Sequence, residues 1–174
     1  SYRGVVKPLL AVFSLIIALC WSIGWATLVV GHLNILTIVF TTILIGLGID
    51  FGIHILERYK EERVFGNDVL HSLQKTIQGT GRGNFAGAVT TGMAFGGMVF
   101  TDFIGIVELG KISGGGIFFC MISMILVLPA LISLEEKIRK PKYSKEQLEW
   151  RYSWFEIFFK NYRLIIFISM ILFI

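Results

Sequence analysis

Four long runs of apolar residues, separated by short polar segments, dominate the pattern along the chain. They cover residues 9–30, 36–56, 85–101 and 104–134. A helix rises about 1.5 Å per residue, so about 20 apolar residues cross the roughly 30 Å hydrocarbon core of a bilayer. The pattern therefore predicts an all-α membrane protein in which each run forms one transmembrane helix.

A fifth apolar stretch, residues 164–174, closes the sequence. At the same rise per residue it covers about half of a bilayer. We therefore expect the chain to be a fragment of a longer polypeptide, in which this stretch starts another transmembrane helix. The predicted fold is a bundle of four full transmembrane helices plus the start of a fifth, with a cytoplasmic connection at residues 1–8.

Two polar segments between the spans have helical patterns of their own. In residues 67–79, Asn67 can cap a helix, Gly79 can end it, and apolar residues between them form one stripe. Residues 135–163 mix aromatic residues with Lys and Arg, which is typical of a membrane interface. We expect amphipathic cytoplasmic helices in both segments, and helices packed on other parts of a longer protein fit the same pattern.

The composition agrees with a membrane protein. Hydrophobic residues make up 55% of the chain and charged residues 16%, whereas about 25% of a soluble domain is charged. This excludes a disordered chain, a disulfide scaffold and an ordinary soluble enzyme. Cys20 and Cys120 lie in apolar runs and are expected to be buried, reduced thiols. No nucleotide loop, metal cluster or nucleophile triad is recognisable, so we expect no enzymatic activity, no metal and no cofactor.

The net charge is +4, and the positions of the charged residues along the chain are more informative than their sum. Lys and Arg gather before the first span, at residues 58–82, and at residues 137–163, whereas Lys111 is the sole cation near the two opposite connections. Short loops rich in Lys and Arg remain in the cytoplasm. The distribution predicts a multi-pass protein of the inner (cytoplasmic) membrane whose first span runs outward, and it gives no support for a nucleic-acid partner.

Asp50 is an acid well inside a predicted span. Counted back from Arg58, it lies roughly 12 Å from the cytoplasmic end. A charged, unpaired carboxylate at such a depth costs at least about 2.5 kcal/mol, so Asp50 must face protein or water, or be protonated. We interpret it as a proton or ion site; a neutral Asp that only hydrogen-bonds between helices is the alternative.

Three further polar residues are candidates for the same proton relay. His54 shares the helix face of Asp50 one turn nearer the cytoplasm, where it can pass on a proton or make a structural hydrogen bond. Thr90 and Thr91 lie in the antiparallel third span at the depth of Asp50, so a threonine hydroxyl can reach its carboxyl. Alternatively, both hydroxyls bond to their own helix backbone.

Glycines four residues apart recur along the spans. This spacing allows membrane helices to approach closely. We predict helix packing at five glycines near the candidate relay residues: Gly46, Gly48, Gly52, Gly92 and Gly96.

These residues fall into a set of motifs. They are Gly46-x-x-x-Asp50-Phe-Gly-Ile-His54, then Glu57-Arg58-Tyr59-x-Glu61-Glu62, then Gly83-x-x-Ala86-Gly-Ala-x-Thr90-Thr91-Gly92, and Leu128-Pro129-Ala130-Leu131 at the end of the fourth span. In combination they resemble the resistance–nodulation–division (RND) superfamily of transporters. The nearest branch is that of the hydrophobe/amphiphile exporters, which includes the MMPL and hopanoid transporters; Patched-like and sterol-sensing proteins are relatives.

The resemblance implies a fold and a function. The four spans would be the third to sixth helices of an N-terminal half, with the other half and the extracytoplasmic domains in the same polypeptide. The protein would be a secondary transporter that uses the proton-motive force to export lipids or other amphiphilic molecules, with Asp50 in the proton relay and Thr90 or Thr91 facing it. Whether it forms a homo-oligomer is open. Phe51 is a departure, because relatives often have Tyr there, so water or His54 would stand in for the phenol.

Two other functions compete with this one. A SecD/SecF-like accessory of protein translocation also couples protons, but its Asp-Ala-Asn signature is replaced here by Asp50-Phe51-Gly52. A non-transporting sterol- or lipid-sensing membrane module is the other alternative, and the sequence does not exclude it.

Overall fold

Long helices make up nearly all of the computed structural model, which describes residues 6–32 and 35–139. The helices are α1 Val6–Val29, α2 Ile35–Val64, α3 Val69–Gly97 and α4 Ile104–Arg139, with a 3-10 turn at Met98–Phe100. No strand occurs in these ranges, so the all-α prediction is confirmed for them. The predictions for residues 140–163 and 164–174 lie outside the described residues.

Three of these helices are long and apolar enough to cross a membrane. They are Val6–Val29, Ile38–Val64 and Ile104–Ile138, which correspond to the first, second and fourth predicted spans. The length and composition of these three helices therefore identify a membrane protein. The third predicted span, residues 85–101, does not meet the same criterion, and its crossing of the membrane stays a prediction.

α3 corrects the prediction of a separate helix over residues 67–79. It begins at Val69, continues through Gly79 and ends at Gly97, so the amphipathic segment and most of the third predicted span form one helix. Glycine inside a helix costs only about 1 kcal/mol relative to alanine, and packing of α3 on α2 and α4 offsets this. Gly66, with φ of 86°, makes the left-handed turn between α2 and α3 instead.

Two helices extend further than predicted at their basic ends. α2 continues past residue 56 to Val64, and α4 continues past residue 134 to Arg139. The added turns are charged, so hydropathy alone placed them outside the spans. As a result, acidic and basic side chains at the ends of α2 and α4 lie on rigid helices rather than in loops.

Both α2 and α4 pack against each of the other three helices, and α4 makes the most extensive contacts. Its buried side chains include Ile112, Ile117, Cys120, Met124, Leu128 and Ile132. α1 faces it with small residues, and Ser123 Oγ of α4 donates to the Ser14 carbonyl of α1 at 2.7 Å. Ser22 Oγ donates to the Ala18 carbonyl of its own helix at 2.8 Å and lies 3.4 Å from the Gly116 carbonyl of α4. Close contacts and hydrogen bonds of this kind hold membrane helices together. Both cysteines are free; Cys120 is buried as predicted, whereas Cys20 is exposed on α1.

Gly110 allows α4 to pass close to the end of α3. A Cβ atom on Gly110 would lie 2.6 Å from the Phe95 carbonyl oxygen and 3.0 Å from Met98 Cβ. Backbone atoms cannot move aside as easily as the end of a flexible side chain. We therefore expect Gly110→Ala to lower the free energy of unfolding by about 1–3 kcal/mol. Gly79→Ala is the matched control, since a Cβ there meets nothing within 4 Å. Thermal unfolding of the full-length protein in detergent measures both, and equal stability of the two variants would contradict the contact.

Candidate functional site

A cavity of about 410 Å³ lies between α2 and α3. α2 lines it with one helix face at spacings of three and four residues, α3 lines it with small and polar residues, and α4 adds one apolar side chain. The lining residues are Leu47, Asp50, Phe51 and His54 of α2, Thr80, Gly83, Asn84, Gly87 and Thr91 of α3, and Ile117 of α4. The cavity thus combines ionisable, hydroxyl and amide groups with room for water.

Asp50 is in the middle of α2, far from both helix ends. Its side chain is exposed in the described chain and lines the cavity. The carboxyl therefore faces open space rather than the packed core formed with α1 and α4. His54, one turn further along the same face, is exposed in the same way.

The structure brings three of the four candidate relay residues to one cavity. Asp50, His54 and Thr91 line it together. Thr90 does not; its hydroxyl donates to the carbonyl oxygens of Ala86 and Gly87, each at 3.0 Å. This is the alternative geometry, a bond to its own helix backbone. The roles of all four residues in a relay stay predictions.

Asn84 is a lining residue that the sequence pattern did not single out. It is 5% exposed, and its Nδ2 donates to the Phe51 carbonyl oxygen at 3.1 Å. The signal was present in the sequence, because Asn84 lies four residues after Thr80 and seven before Thr91, on one face of α3.

The five glycines predicted for helix packing divide into two groups. A Cβ on Gly48 would lie 2.6 Å from Leu15 Cδ1, one on Gly52 3.1 Å from Met124 Sδ, and one on Gly92 2.9 Å from Phe118 Cε2. These three sit where helices approach closely. A Cβ on the other two, Gly46 and Gly96, meets nothing within 4 Å, so packing there stays a prediction.

A buried ion cluster lies at the basic end of the bundle. It consists of Lys7, Arg63 and Glu136, from α1, α2 and α4. Lys7 Nζ donates to Glu136 Oε1 at 3.0 Å, and Arg63 Nη2 donates to Oε2 at 3.0 Å. Lys7 is 5% and Glu136 4% exposed, and Lys7 Nζ lies 4.4 Å from the Tyr59 ring centroid. The sequence pattern missed this cluster, since it placed these charges in cytoplasmic connections.

Glu62 forms a neighbouring set of contacts that includes α3. Its carboxylate lies 2.6 Å from Arg58 Nη2 and 3.6 Å from Lys75 Nζ. It also accepts a hydrogen bond from Asn67 Nδ2 at 2.8 Å. These contacts link the end of α2 to the start of α3, so charged groups hold all four helices at this end.

Comparison with known proteins decides the family. The profile of the MMPL family matches residues 1–157. The chain belongs to the MMPL family. The predicted membership of the RND superfamily, in the branch that includes these transporters, is confirmed.

Three curated relatives are similar over most of the chain. A membrane protein of Methanocaldococcus jannaschii is 32% identical over 78% of this chain, and the hopanoid transporter HpnN of Rhodopseudomonas palustris is 32% identical over 80%. The hopanoid transporter HpnN of Burkholderia multivorans is 29% identical over 77%.

The MMPL chain spans only part of these relatives' length. It covers 35% of the archaeal protein, 16% of the Rhodopseudomonas transporter and 15% of the Burkholderia transporter. No solved structure gives a significant match.

Proposed function

We propose that this MMPL chain is part of a secondary transporter that uses a proton gradient to export hydrophobic or amphiphilic molecules. The observation that carries the proposal is the cavity in which Asp50 and His54 lie on one face of α2. A carboxyl that is to gain and lose a proton inside a membrane needs a path for protons and shelter from lipid. The cavity, which is open on one side and lined in part by polar groups, has room for the water that would carry protons to Asp50; shelter from lipid would come from the rest of the full-length protein.

Asp50 is proposed to be the group that is protonated. Protonation removes its charge and adds an O–H donor, which changes its attraction for water and for polar neighbours such as Thr91. The two protonation states would then favour different arrangements of α2 and α3. His54, one turn nearer the basic end of α2, is placed to exchange protons with the cytoplasm.

Lipids are the substrate class that the relatives favour. Two of them are named hopanoid transporters, so a hopanoid is the first substrate to test. We place the protein in the cytoplasmic membrane with the basic ends of α2 and α4 inside, in accordance with the charge distribution. The second half of the polypeptide and its extracytoplasmic domains would supply the substrate path.

Reconstitution of the full-length protein tests the proposal. Vesicles that contain the protein, a hopanoid and an internal pH dye are given a pH gradient across the membrane. We expect hopanoid transfer between leaflets together with proton flux, and hopanoid transfer should stop when a protonophore has dissipated the gradient. Hopanoid binding without proton flux would refute the proposal in favour of a lipid-sensing module, and vesicles without protein are the control.

A further inference from the structure

Asn84 joins α3 to α2 beside Asp50. Its Nδ2 donates to the carbonyl oxygen of Phe51, the residue after Asp50, at 3.1 Å. A carbonyl oxygen has two lone pairs, so it can accept this bond in addition to its bond within the helix. We infer that Asn84 is a positioning residue of the proton site, which fixes the α2 backbone next to Asp50 and forms a polar part of the opposite wall.

The residues that line the cavity around Asn84 explain why its amide matters for Asp50. Asp50 and His54 are the titratable residues among those that line the cavity; α3 contributes threonine, glycine and Asn84, and α4 contributes Ile117. The charged form of a carboxylate in such a place depends on fixed dipoles and water for its stability. Loss of the amide therefore acts on the balance between the two forms of Asp50 as well as on helix packing.

The inference rests on the proposed function, and it makes a prediction of its own about the protonation of Asp50. Dicyclohexylcarbodiimide adds to a carboxyl in its protonated form, and mass spectrometry locates the adduct. Labelling of the full-length protein over a pH series gives the midpoint at which Asp50 loses its proton. This measurement needs neither substrate nor transport.

We expect Asn84→Leu to shift the midpoint of Asp50 labelling by about half a pH unit or more, because the hydrogen bond to Phe51 and a dipole of the cavity wall are lost. Leucine has the branched shape of asparagine, is somewhat larger and has no dipole, so the space stays filled. Asn84→Ser, which restores a hydroxyl to the wall, should bring the midpoint back toward that of the wild type. Where Asn84→Leu does not fold, Asn84→Ala replaces it and the same midpoint is measured.

Gln78→Leu is the matched control, because it also removes an amide from α3, at an exposed position outside the cavity lining. An unchanged midpoint in the Asn84 variants, or an equal shift in Gln78→Leu, would overturn the inference. If the midpoint depends on Asn84 but the vesicles show no proton-coupled transport, the proposed function fails and the inference stands. If transport is present and the midpoint is insensitive to Asn84, the inference alone fails.

Discussion

Asp50→Asn is expected to reduce proton-coupled transport to the level of protein-free vesicles. Asparagine has the size and hydrogen-bonding capacity of a protonated aspartate but cannot release or take up a proton. The variant should therefore fold and insert, while the cycle between two protonation states cannot occur. The measurement is proton flux and hopanoid transfer in vesicles that contain equal amounts of wild-type and variant protein.

Two further substitutions sharpen this experiment. Asp50→Glu retains a titratable group in the cavity and should keep part of the transport, since the carboxyl is displaced by one methylene. Asp68→Asn is the matched control, because Asp68 is an exposed acid before α3 whose side chain makes no capping hydrogen bond. Transport that survives in Asp50→Asn at the wild-type rate would show that the proton passes elsewhere, and the proposed relay would have to be abandoned.

Hydropathy predicted the helices whose apolar runs are long enough to cross a membrane. The first, second and fourth spans correspond to α1, α2 and α4. An apolar run that is long enough to cross a bilayer forms a helix because its backbone hydrogen bonds must be satisfied within the segment. The capping signal was misleading at residues 67–79, since Gly79 resembles a helix end in sequence but lies inside α3. A glycine breaks a helix only where the chain takes up its extra freedom, and this happens at Gly66 instead.

The part of the candidate site that depends on residue spacing along a single helix could be predicted from the sequence. Asp50 and His54, four residues apart, share a face of α2 in any α-helix. The choice between Thr90 and Thr91 was not predictable, because it depends on the rotation of α3 about its axis relative to α2. Asn84 was missed for the same reason, since its hydrogen bond to Phe51 joins residues that are 33 positions apart.

Glu136→Gln is expected to destabilise the bundle strongly at its basic end. Glu136 accepts from both Lys7 and Arg63, and it is 4% exposed. Removal of one partner from a buried ion pair costs about 3–5 kcal/mol, because the remaining charge stays buried without compensation. We expect about 3 kcal/mol here, since Glu135 lies 3.7 Å from Lys7 Nζ and retains part of the attraction. Thermal or denaturant unfolding of the full-length protein in detergent gives the value.

Glu61→Gln is the matched control for this measurement. The pair of Glu61 with Arg58 is partly exposed, with side-chain exposures of 25% and 44%, and such pairs contribute about 0.2–1 kcal/mol. Equal losses of stability in the two variants would mean that burial of Glu136 does not matter, which contradicts the prediction.

The ion cluster need not raise stability above that of an apolar core. Desolvation of these charges opposes their attraction, and apolar replacements of whole buried clusters are often neutral or stabilising. The replacement must include Glu135, whose carboxylate lies 3.7 Å from Lys7 Nζ. We therefore expect the quadruple variant Lys7→Met, Arg63→Met, Glu135→Leu, Glu136→Leu to unfold at higher denaturant concentration than Glu136→Gln. If the quadruple variant is stable but transports poorly, the cluster serves to fix the register of α1, α2 and α4 beneath the cavity. A quadruple variant less stable than Glu136→Gln would instead show that the charges themselves hold the helices together.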